Sequence, residues 1–251
     1  GMAVIYICTM SNTLKFFNDK RGFASGVLTA GTGISSVVAA PVAQALIDSY
    51  DVLVTLRIIG GTSLVVILVC SCFLRDAPNG DDMAKIGKTN VIEEKGSLQM
   101  LQTPRFYLLM IIFAMGAVGG VMVISQASGM AQEMVLASAQ TAALGVSIIA
   151  IGNTAGRLAW GTISDKFGRY NVLPVMFCLM AMLLFALSRV TDGNIAVFFA
   201  LIIAIGFCFG GFLSIFPAIT AENFGNRNSG SNYGIMFSGY ALASMAGPRI
   251  A

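Results

Sequence analysis

One arginine within a long apolar run is the residue of this chain best suited to bind a charged ligand. Arg157 is the only charged residue in the segment 138–163. A charge in the hydrocarbon interior of a membrane costs several kcal/mol, so it is rarely retained there without a function. Its guanidinium carries N–H donors in a planar fork that fits the two oxygens of a carboxylate. Arg157 is therefore predicted to bind an anion, and the alternative is a side chain that extends to the membrane surface.

Four polar residues are candidates to complete this anion site. Asn153 lies one helical turn before Arg157 on the same helix face, although an amide that bonds a neighbouring helix would show the same spacing. Tyr240 could donate one hydrogen bond or serve only in aromatic packing. Ser125 and Gln126 interrupt another apolar run and are predicted to line the cavity. No cofactor or metal is expected, because the chain has no His and its Cys residues lie in apolar runs without metal-ligand spacing.

The composition indicates the elements that must position these residues. Hydrophobic residues make up 56% of the chain and charged residues 11%, against about 45–50% and about 25% in soluble domains. The apolar residues occur in runs of about 20, the length of helix that crosses a bilayer. We therefore predict an all-α integral membrane protein, a helical bundle with a remnant at about 1–13 and spans near 22–47, 52–74, 105–130, 138–163, 170–189, 194–221 and 231–251. Phe216-Pro217 is expected to break the span that contains it.

One polar segment, 75–104, separates two groups of spans. It contains Pro, Gly and charges of both signs, so we predict a linker between a first bundle at 1–74 and a second at 105–251. Most Lys and Arg residues lie in this linker and in alternate loops, and cytoplasmic loops carry such an excess. The linker and the basic loops are therefore predicted to face the cytoplasm, across a plasma or inner membrane that the chain crosses several times.

The spacing of three glycines predicts a close contact between helices. Gly22, Gly26 and Gly33 lie near one face of a span, and small residues at such spacing let helix backbones approach closely. This contact could serve packing alone, or it could let the helices slide or rock against each other.

The turn that follows Arg157 carries a recognisable motif. It reads Gly161-Thr-Ile-Ser-Asp165-Lys166-Phe-Gly168-Arg169 and resembles the loop motif Gly-x-x-x-Asp-Arg/Lys-x-Gly-Arg of the major facilitator superfamily. Segment 18–26 resembles the fourth loop and fifth helix of that superfamily. Three further segments resemble the oxalate/formate antiporter family, which is related to the monocarboxylate transporters: 98–109, 209–225 and 228–239.

This resemblance implies a fold and roles for individual residues. The chain would run from late helix four to helix eleven, as a fragment without helices one to three and twelve. Its first bundle would hold late helix four and helices five and six, and its second bundle helices seven to eleven. Arg157 would be the arginine of the eighth helix that binds the substrate carboxylate. The turn would be a latch that holds one conformation, formed by Gly161, Asp165, Lys166, Gly168 and Arg169, although a solvated turn is the simpler alternative.

Two positions depart from the relatives that this resemblance suggests. Proton-coupled monocarboxylate transporters carry an Asp where this chain has Asn153, and an amide cannot carry a proton. Oxalate-exchanging members carry a lysine where this chain has Tyr240, so a second carboxylate would lack its cation. The site therefore favours a monocarboxylate such as pyruvate, lactate or formate. Arg249 could be a second anion contact or an anchor at the outer surface.

The predicted function is secondary active transport of a small organic anion by alternating access, with antiport as one mode. A dicarboxylate exchanger of the oxalate/formate type, and a sensor on the same fold that does not transport, are the alternatives. No enzyme activity is predicted, because the spans hold no cluster of His, Cys or acidic residues. The expected partners are a small carboxylate and the lipid bilayer, with no nucleic acid. The sequence does not specify an oligomeric state and is compatible with a monomer.

Overall fold

The computed structural model describes residues 2–17, 19–73, 75, 94–190 and 194–250, and these residues form ten α-helices. The part of the chain so described contains no β-strand. In chain order the helices are α1 (Met2–Phe16), α2 (Arg21–Ser49), α3 (Val52–Phe73), α4 (Ser97–Leu101), α5 (Pro104–Met134), α6 (Ala139–Phe167), α7 (Arg169–Leu187), α8 (Ile195–Phe224), α9 (Ser229–Met236) and α10 (Ser238–Ile250).

The helices agree closely with the spans predicted from the sequence. The helices α2, α3 and α5 to α8 each cover one predicted span, with ends that differ by a few residues. The last predicted span, 231–251, is divided into α9 and α10 at Phe237, where the backbone stays helical (φ −65°, ψ −13°). The predicted break at Phe216-Pro217 is wrong, because α8 continues through Pro217. Residues on both sides of this proline are buried, so tertiary packing keeps the helix intact although one backbone hydrogen bond is lost.

The predicted linker, 75–104, lies mostly outside the described residues. Its described end includes the short helix α4, which no feature of the sequence predicted. The side-chain oxygen of Gln99 accepts a hydrogen bond of 2.9 Å from the N–H of Gly96, the residue just before α4. The next helix, α5, begins at Pro104, a position at which the missing N–H of proline costs no helical hydrogen bond.

Four of the described helices, α3, α5, α7 and α8, are long and apolar enough to cross a membrane. The helices α2 and α6 contain 29 residues each, also more than the roughly 20 that a span requires. Their sequences are less apolar because they include small and polar residues, among them Thr29, Thr32, Asn153 and Arg157. The two less apolar helices are thus the ones that supply Arg157 and its hydrogen-bond partners in the site described below.

Helix α8 lies at the centre of the described structure. It packs against α2, α5, α6, α7 and α9, and from Ile205 to Ala221 all its residues except Phe207 are buried. The ring of Phe216 on α8 stacks on that of Phe113 on α5, with centroids 4.3 Å apart. Such packing matters in a bilayer, where lipid chains are as apolar as the helices and no hydrophobic force drives helices together.

The backbones of α2 and α6 touch along the predicted glycine face. Gly22 lies against the carbonyl group of Gly161, and Gly33 lies against a side chain of α6. A Cβ atom added at Gly26 would lie 2.5 Å from the carbonyl oxygen of Arg157, much closer than atoms of two residues normally approach. The close helix contact predicted from the glycine spacing is therefore confirmed.

Replacement of Gly26 by alanine tests the importance of this contact. The added methyl group must force α2 away from α6, and such overpacking costs about 1–3 kcal/mol. We expect Gly26→Ala to lower the midpoint of thermal unfolding of the complete protein in detergent by several degrees, as followed by intrinsic fluorescence.

Gly31→Ala is the matched control on the same helix. An added Cβ at Gly31 meets nothing within 4 Å, and alanine is the better helix former by about 1 kcal/mol. Its unfolding midpoint should equal or exceed that of the wild type. Equal midpoints for Gly26→Ala and the wild type would contradict a tight α2–α6 contact.

Candidate anion site and latch

The guanidinium of Arg157 bridges its own helix and α2. Its Nε donates to the side-chain oxygen of Asn153 at 2.7 Å. Its Nη1 donates to the carbonyl oxygen of Thr29 and, at 2.5 Å, to the hydroxyl oxygen of Thr32. The side chain is half-buried and Asn153 is buried. Each of these partners is uncharged, so the hydrogen bonds hold the fork in place without neutralising it.

Three tyrosines lie within electrostatic range of this guanidinium. The hydroxyls of Tyr6, Tyr233 and Tyr240 are close enough to interact electrostatically with Arg157. Tyr233 is 1% exposed, and its hydroxyl lies close to that of Tyr6. The Tyr240 ring stacks on Phe237 with centroids 5.0 Å apart. Both functions considered for Tyr240, aromatic packing and a hydroxyl near the cation, are compatible with this position.

The site collects residues from α1, α2, α6, α9 and α10, and local sequence explains how α6 presents its part. The helix begins after Ser138, whose hydroxyl accepts a hydrogen bond of 3.2 Å from the N–H of Thr141. From there it runs without interruption to Phe167. Asn153 and Arg157 lie one turn apart on α6, and the close α2–α6 contact brings Thr29 and Thr32 within reach of Arg157.

Three other predicted residues lie apart from this group. Ser125 and Gln126 are exposed on α5, and the Ser125 hydroxyl donates to the carbonyl oxygen of Met122 in its own helix at 3.0 Å. Arg249 is exposed near the end of α10. None of the contacts among the described residues joins these three side chains to Arg157. The assignment of Ser125 and Gln126 to the cavity therefore stays a prediction, as do the two alternatives for Arg249, an anion contact or a surface anchor.

Asp165, near the end of α6, binds the first turn of α2. Its Oδ1 accepts a hydrogen bond of 2.9 Å from the N–H of Gly22, and its Oδ2 one of 2.8 Å from the N–H of Phe23. The first N–H groups of a helix lack partners within the helix, and the positive end of the helix dipole lies there. A carboxylate at this position therefore ties α6 to the start of α2.

Arg169 extends this contact to α8. It pairs with Asp165 at 2.8 Å and with Glu222, and the side chains of Arg169 and Asp165 are 9% and 10% exposed. Gly168 takes a positive φ of 85°, which lets the chain turn directly from α6 into α7. Lys166 is exposed and forms no ion pair within the described ranges. The predicted latch residues Asp165 and Arg169 are thus brought together, whereas Lys166 is not.

A second carboxylate reinforces the same end of the molecule. Glu94, just before α4, accepts hydrogen bonds from the N–H groups of Asn226 at 3.2 Å and Arg227 at 2.9 Å. These residues follow Gly225, whose φ of 89° ends α8. Near this turn, the hydroxyls of Ser11 on α1 and Ser229 on α9 lie 2.7 Å apart. The start of α2, the end of α1 and the α8–α9 turn are therefore held together.

Sequence reasoning missed several of these residues. Thr29 and Thr32 give a faint signal as hydroxyl residues one turn apart in a glycine-rich span, and Glu222 is an acid close to a span end. Tyr6 and Tyr233 give none, because single tyrosines in apolar helices are common. No group of three or more His, Cys, Asp or Glu side chains is placed to bind a metal within the described ranges.

Comparisons with known proteins identify the class to which this fold belongs. The family described as Major Facilitator Superfamily matches residues 1–248. The chain therefore belongs to the major facilitator superfamily, whose members are multi-pass membrane transporters.

Three relatives illustrate the range of similarity. An uncharacterized MFS-type transporter, YhjX of Escherichia coli (strain K12), is 31% identical over 96% of this chain and 59% of its own length. An oxalate:formate antiporter of Oxalobacter formigenes is 29% identical over 98% of this chain and 58% of its own length. Monocarboxylate transporter 12 of Rattus norvegicus is 24% identical over 100% of this chain and 57% of its own length. The chain thus spans little more than half the length of each relative.

The effect of Asp165→Asn on the contact between α1 and α9 tests the latch. Asparagine has one acceptor oxygen for the two N–H groups of α2, and it carries no negative charge to pair with Arg169. Hydrogen bonds to charged groups contribute about 1.5–3 kcal/mol to stability, so the substitution should weaken the latch. The contact is followed by the formation of a disulfide between two introduced cysteines, Ser11→Cys and Ser229→Cys. The parent for this assay is the complete protein with these two substitutions and with its native cysteines replaced. We expect rapid disulfide formation in the parent and several-fold slower formation with Asp165→Asn.

Lys166→Gln is the matched control, since it removes a charge from the neighbouring position. Its side chain contacts no partner within the described ranges, so the cross-linking rate should match that of the parent. An equal decrease in the cross-linking rate for both variants would show that Lys166 also belongs to the latch. No decrease for either variant would show that Asp165 does not belong to it.

Proposed function

We propose that this chain forms the anion-binding part of a secondary transporter for small monocarboxylates, which works by alternating access. The observation that carries the proposal is the half-buried guanidinium of Arg157, held in a fixed position by Asn153, Thr29 and Thr32, none of which is charged. A charge held in this way in a membrane lacks an anion, and a carboxylate supplies one with matching geometry.

The contacts between helices support the transport part of the proposal. We assign α1 to α3 to the first bundle and α5 to α10 to the second. The Asp165–Arg169–Glu222 network and the Ser11–Ser229 contact then cross between the bundles at one end. We assign this end to the cytoplasmic side because its loops are basic. The described conformation is then closed toward the cytoplasm, and the network must break for the site to open there.

The groups around Arg157 favour a single carboxylate. The described residues that interact electrostatically with its guanidinium are three tyrosines, which donate hydrogen bonds but carry no positive charge. A monocarboxylate bound there forms a neutral pair, whereas a dicarboxylate leaves one charge uncompensated in a medium that disfavours it. Pyruvate, lactate and formate have the required chemistry.

A dicarboxylate exchanger is the second candidate. It is favoured by the similarity to a relative named as an oxalate:formate antiporter, which covers 98% of this chain. The distinction depends on a second cation near the site. Arg249 is the one candidate considered from the sequence, and it is exposed at the far end of α10.

Arg157→Gln in the complete protein tests the anion site. Proteoliposomes preloaded with unlabelled pyruvate, lactate, formate or oxalate are assayed for uptake of the same labelled anion by counterflow. Removal of one partner of a desolvated charge pair costs about 2–5 kcal/mol, so we expect counterflow to fall at least about thirtyfold.

Two controls locate the effect. Arg157→Lys keeps the charge but not the fork, and should retain weak counterflow with a raised half-saturating concentration. Arg249→Gln is the matched substitution outside the site and should leave counterflow of a monocarboxylate unchanged. If the well-folded wild type exchanges none of the four anions, the carboxylate assignment fails, and if only oxalate is exchanged, the dicarboxylate alternative is correct.

The uncharged partner Asn153 predicts how pH affects exchange. The side chains that contact Arg157 do not titrate near neutral pH, so wild-type exchange should vary little with pH through this site. In Asn153→Asp, the new carboxylate is ionised at high pH and competes with the substrate for Arg157, and protonation removes the competitor. Because the neighbouring cation of Arg157 stabilises the ionised form of this carboxylate, exchange by the variant should be weak from about pH 8 to about pH 5 and increase only near or below about pH 4.

Asn153→Ser serves as the control for this pH profile, because it shortens the side chain without adding a titratable group. It should give a flat profile at a reduced rate. Strong stimulation of the wild type by acid would instead indicate proton coupling through a different group and would contradict an exchanger that is independent of protons.

A further inference from the structure

Thr32 contacts the anion-binding arginine in a way that excludes it as a hydrogen-bond donor to the substrate. Its hydroxyl proton is directed to the carbonyl oxygen of Thr29, one turn earlier in α2, at 2.6 Å. Its oxygen is left as an acceptor and receives the N–H of Arg157 Nη1 at 2.5 Å. With Nε bound to Asn153, a carboxylate that binds bidentately must use Nη1 and Nη2, so it would compete for an N–H group of Nη1 with Thr32.

The second acceptor of Nη1 also belongs to α2. The carbonyl oxygen of Thr29 receives a hydrogen bond from Nη1 as well, so both contacts link the side chain of α6 to α2. Asn153, by contrast, belongs to α6 and binds Nε. One nitrogen of the guanidinium, Nε, is thus bound within α6, and another, Nη1, is bound to α2.

We propose that Thr32 is a positioning residue whose contact with Arg157 competes with the transported anion and links α2 to α6 while the site is empty. This inference rests on the proposed anion site at Arg157. When a carboxylate takes the Nη1 donor, the hydrogen bond to Thr32 is lost and the link between the helices weakens. Departure of the anion restores it.

This competition has a consequence for the mode of transport. The empty site holds α2 and α6 together through Arg157, in addition to the Asp165 contact with the start of α2. Opening of the empty site must then break the hydrogen bond between Thr32 and the charged Arg157. In the occupied site, the anion has already replaced this hydrogen bond. The empty carrier therefore reorients slowly, and exchange of one anion for another exceeds net transport.

Thr32→Val tests the proposal, because valine keeps the shape of threonine and removes only the hydroxyl. Counterflow and net efflux into anion-free buffer are measured with formate, pyruvate, lactate and oxalate in proteoliposomes of the complete protein. Loss of a hydrogen bond to a charged group should lower the half-saturating concentration about tenfold or more. The ratio of net efflux to exchange should increase by a similar factor.

Two conservative variants and a matched control separate this role from a structural one. Thr32→Ser keeps the hydroxyl and should behave as the wild type, and Thr32→Ala removes it and should repeat the effect of valine if the latter folds poorly. Thr62→Val makes the same substitution on α3, where the hydroxyl donates to the carbonyl oxygen of Ile58 at 2.8 Å in its own helix. It should change neither quantity.

The outcomes are distinguishable. A wild type that exchanges a carboxylate, together with lower half-saturation and a higher efflux ratio for Thr32→Val and Thr32→Ala only, supports the proposal. A raised half-saturating concentration would make Thr32 a direct substrate ligand and overturn it, as would unchanged values. If the wild type exchanges none of the four anions, the proposed function itself fails and this inference fails with it.

Discussion

Direct contact between the backbones of α2 and α6 is the constraint on which the candidate anion site and the latch both depend. Gly22 and Gly26 remove the side chains that would separate these helices. At one end of the contact the carboxylate of Asp165 reaches the first N–H groups of α2. Further along, the guanidinium of Arg157 reaches the carbonyl of Thr29 and the hydroxyl of Thr32. A wider separation of the two helices would break both sets of hydrogen bonds together.

The two arginines near this contact lie in opposite electrostatic surroundings. Arg169 is bound by the carboxylates of Asp165 and Glu222, so its charge is compensated within the protein and serves to hold three helices together. Arg157 contacts an amide, a carbonyl and a hydroxyl, which engage the N–H groups of Nε and Nη1 but leave its charge uncompensated. Desolvation disfavours an uncompensated charge, so the second arrangement attracts an anion whereas the first resists one. This difference, rather than the presence of arginine as such, distinguishes the candidate binding site from the latch.

The helical parts of the site could be predicted because they depend on neighbours along the chain. One-turn spacing brings Asn153 and Arg157 together on any helix, and Asp165 and Arg169 are likewise close in sequence. The spacing of Gly22, Gly26 and Gly33 indicated a face for close packing, and helix ends agreed with the apolar runs within a few residues. The helix break expected at Pro217 is absent, because the packing of a buried central helix outweighs the local tendency of proline to interrupt a helix.

The sequence by itself determined that this protein is a bundle of membrane-spanning helices with one arginine in an apolar segment and a charged turn near it, because length, hydropathy and one-turn spacing are local properties. Only the tertiary structure decided which groups meet these residues. Thr32 is far from Arg157 in sequence, as Glu222 is from Arg169, and each came into contact through the packing of separate helices. The same packing brought Tyr233 close enough to interact electrostatically with Arg157. Packing also decided that Lys166, although part of the motif, points away from the network. Many polar residues of the chain have similar neighbours in sequence. Which of them meet in the structure depends on the register and the crossing of the helices, and a sequence pattern does not contain that information.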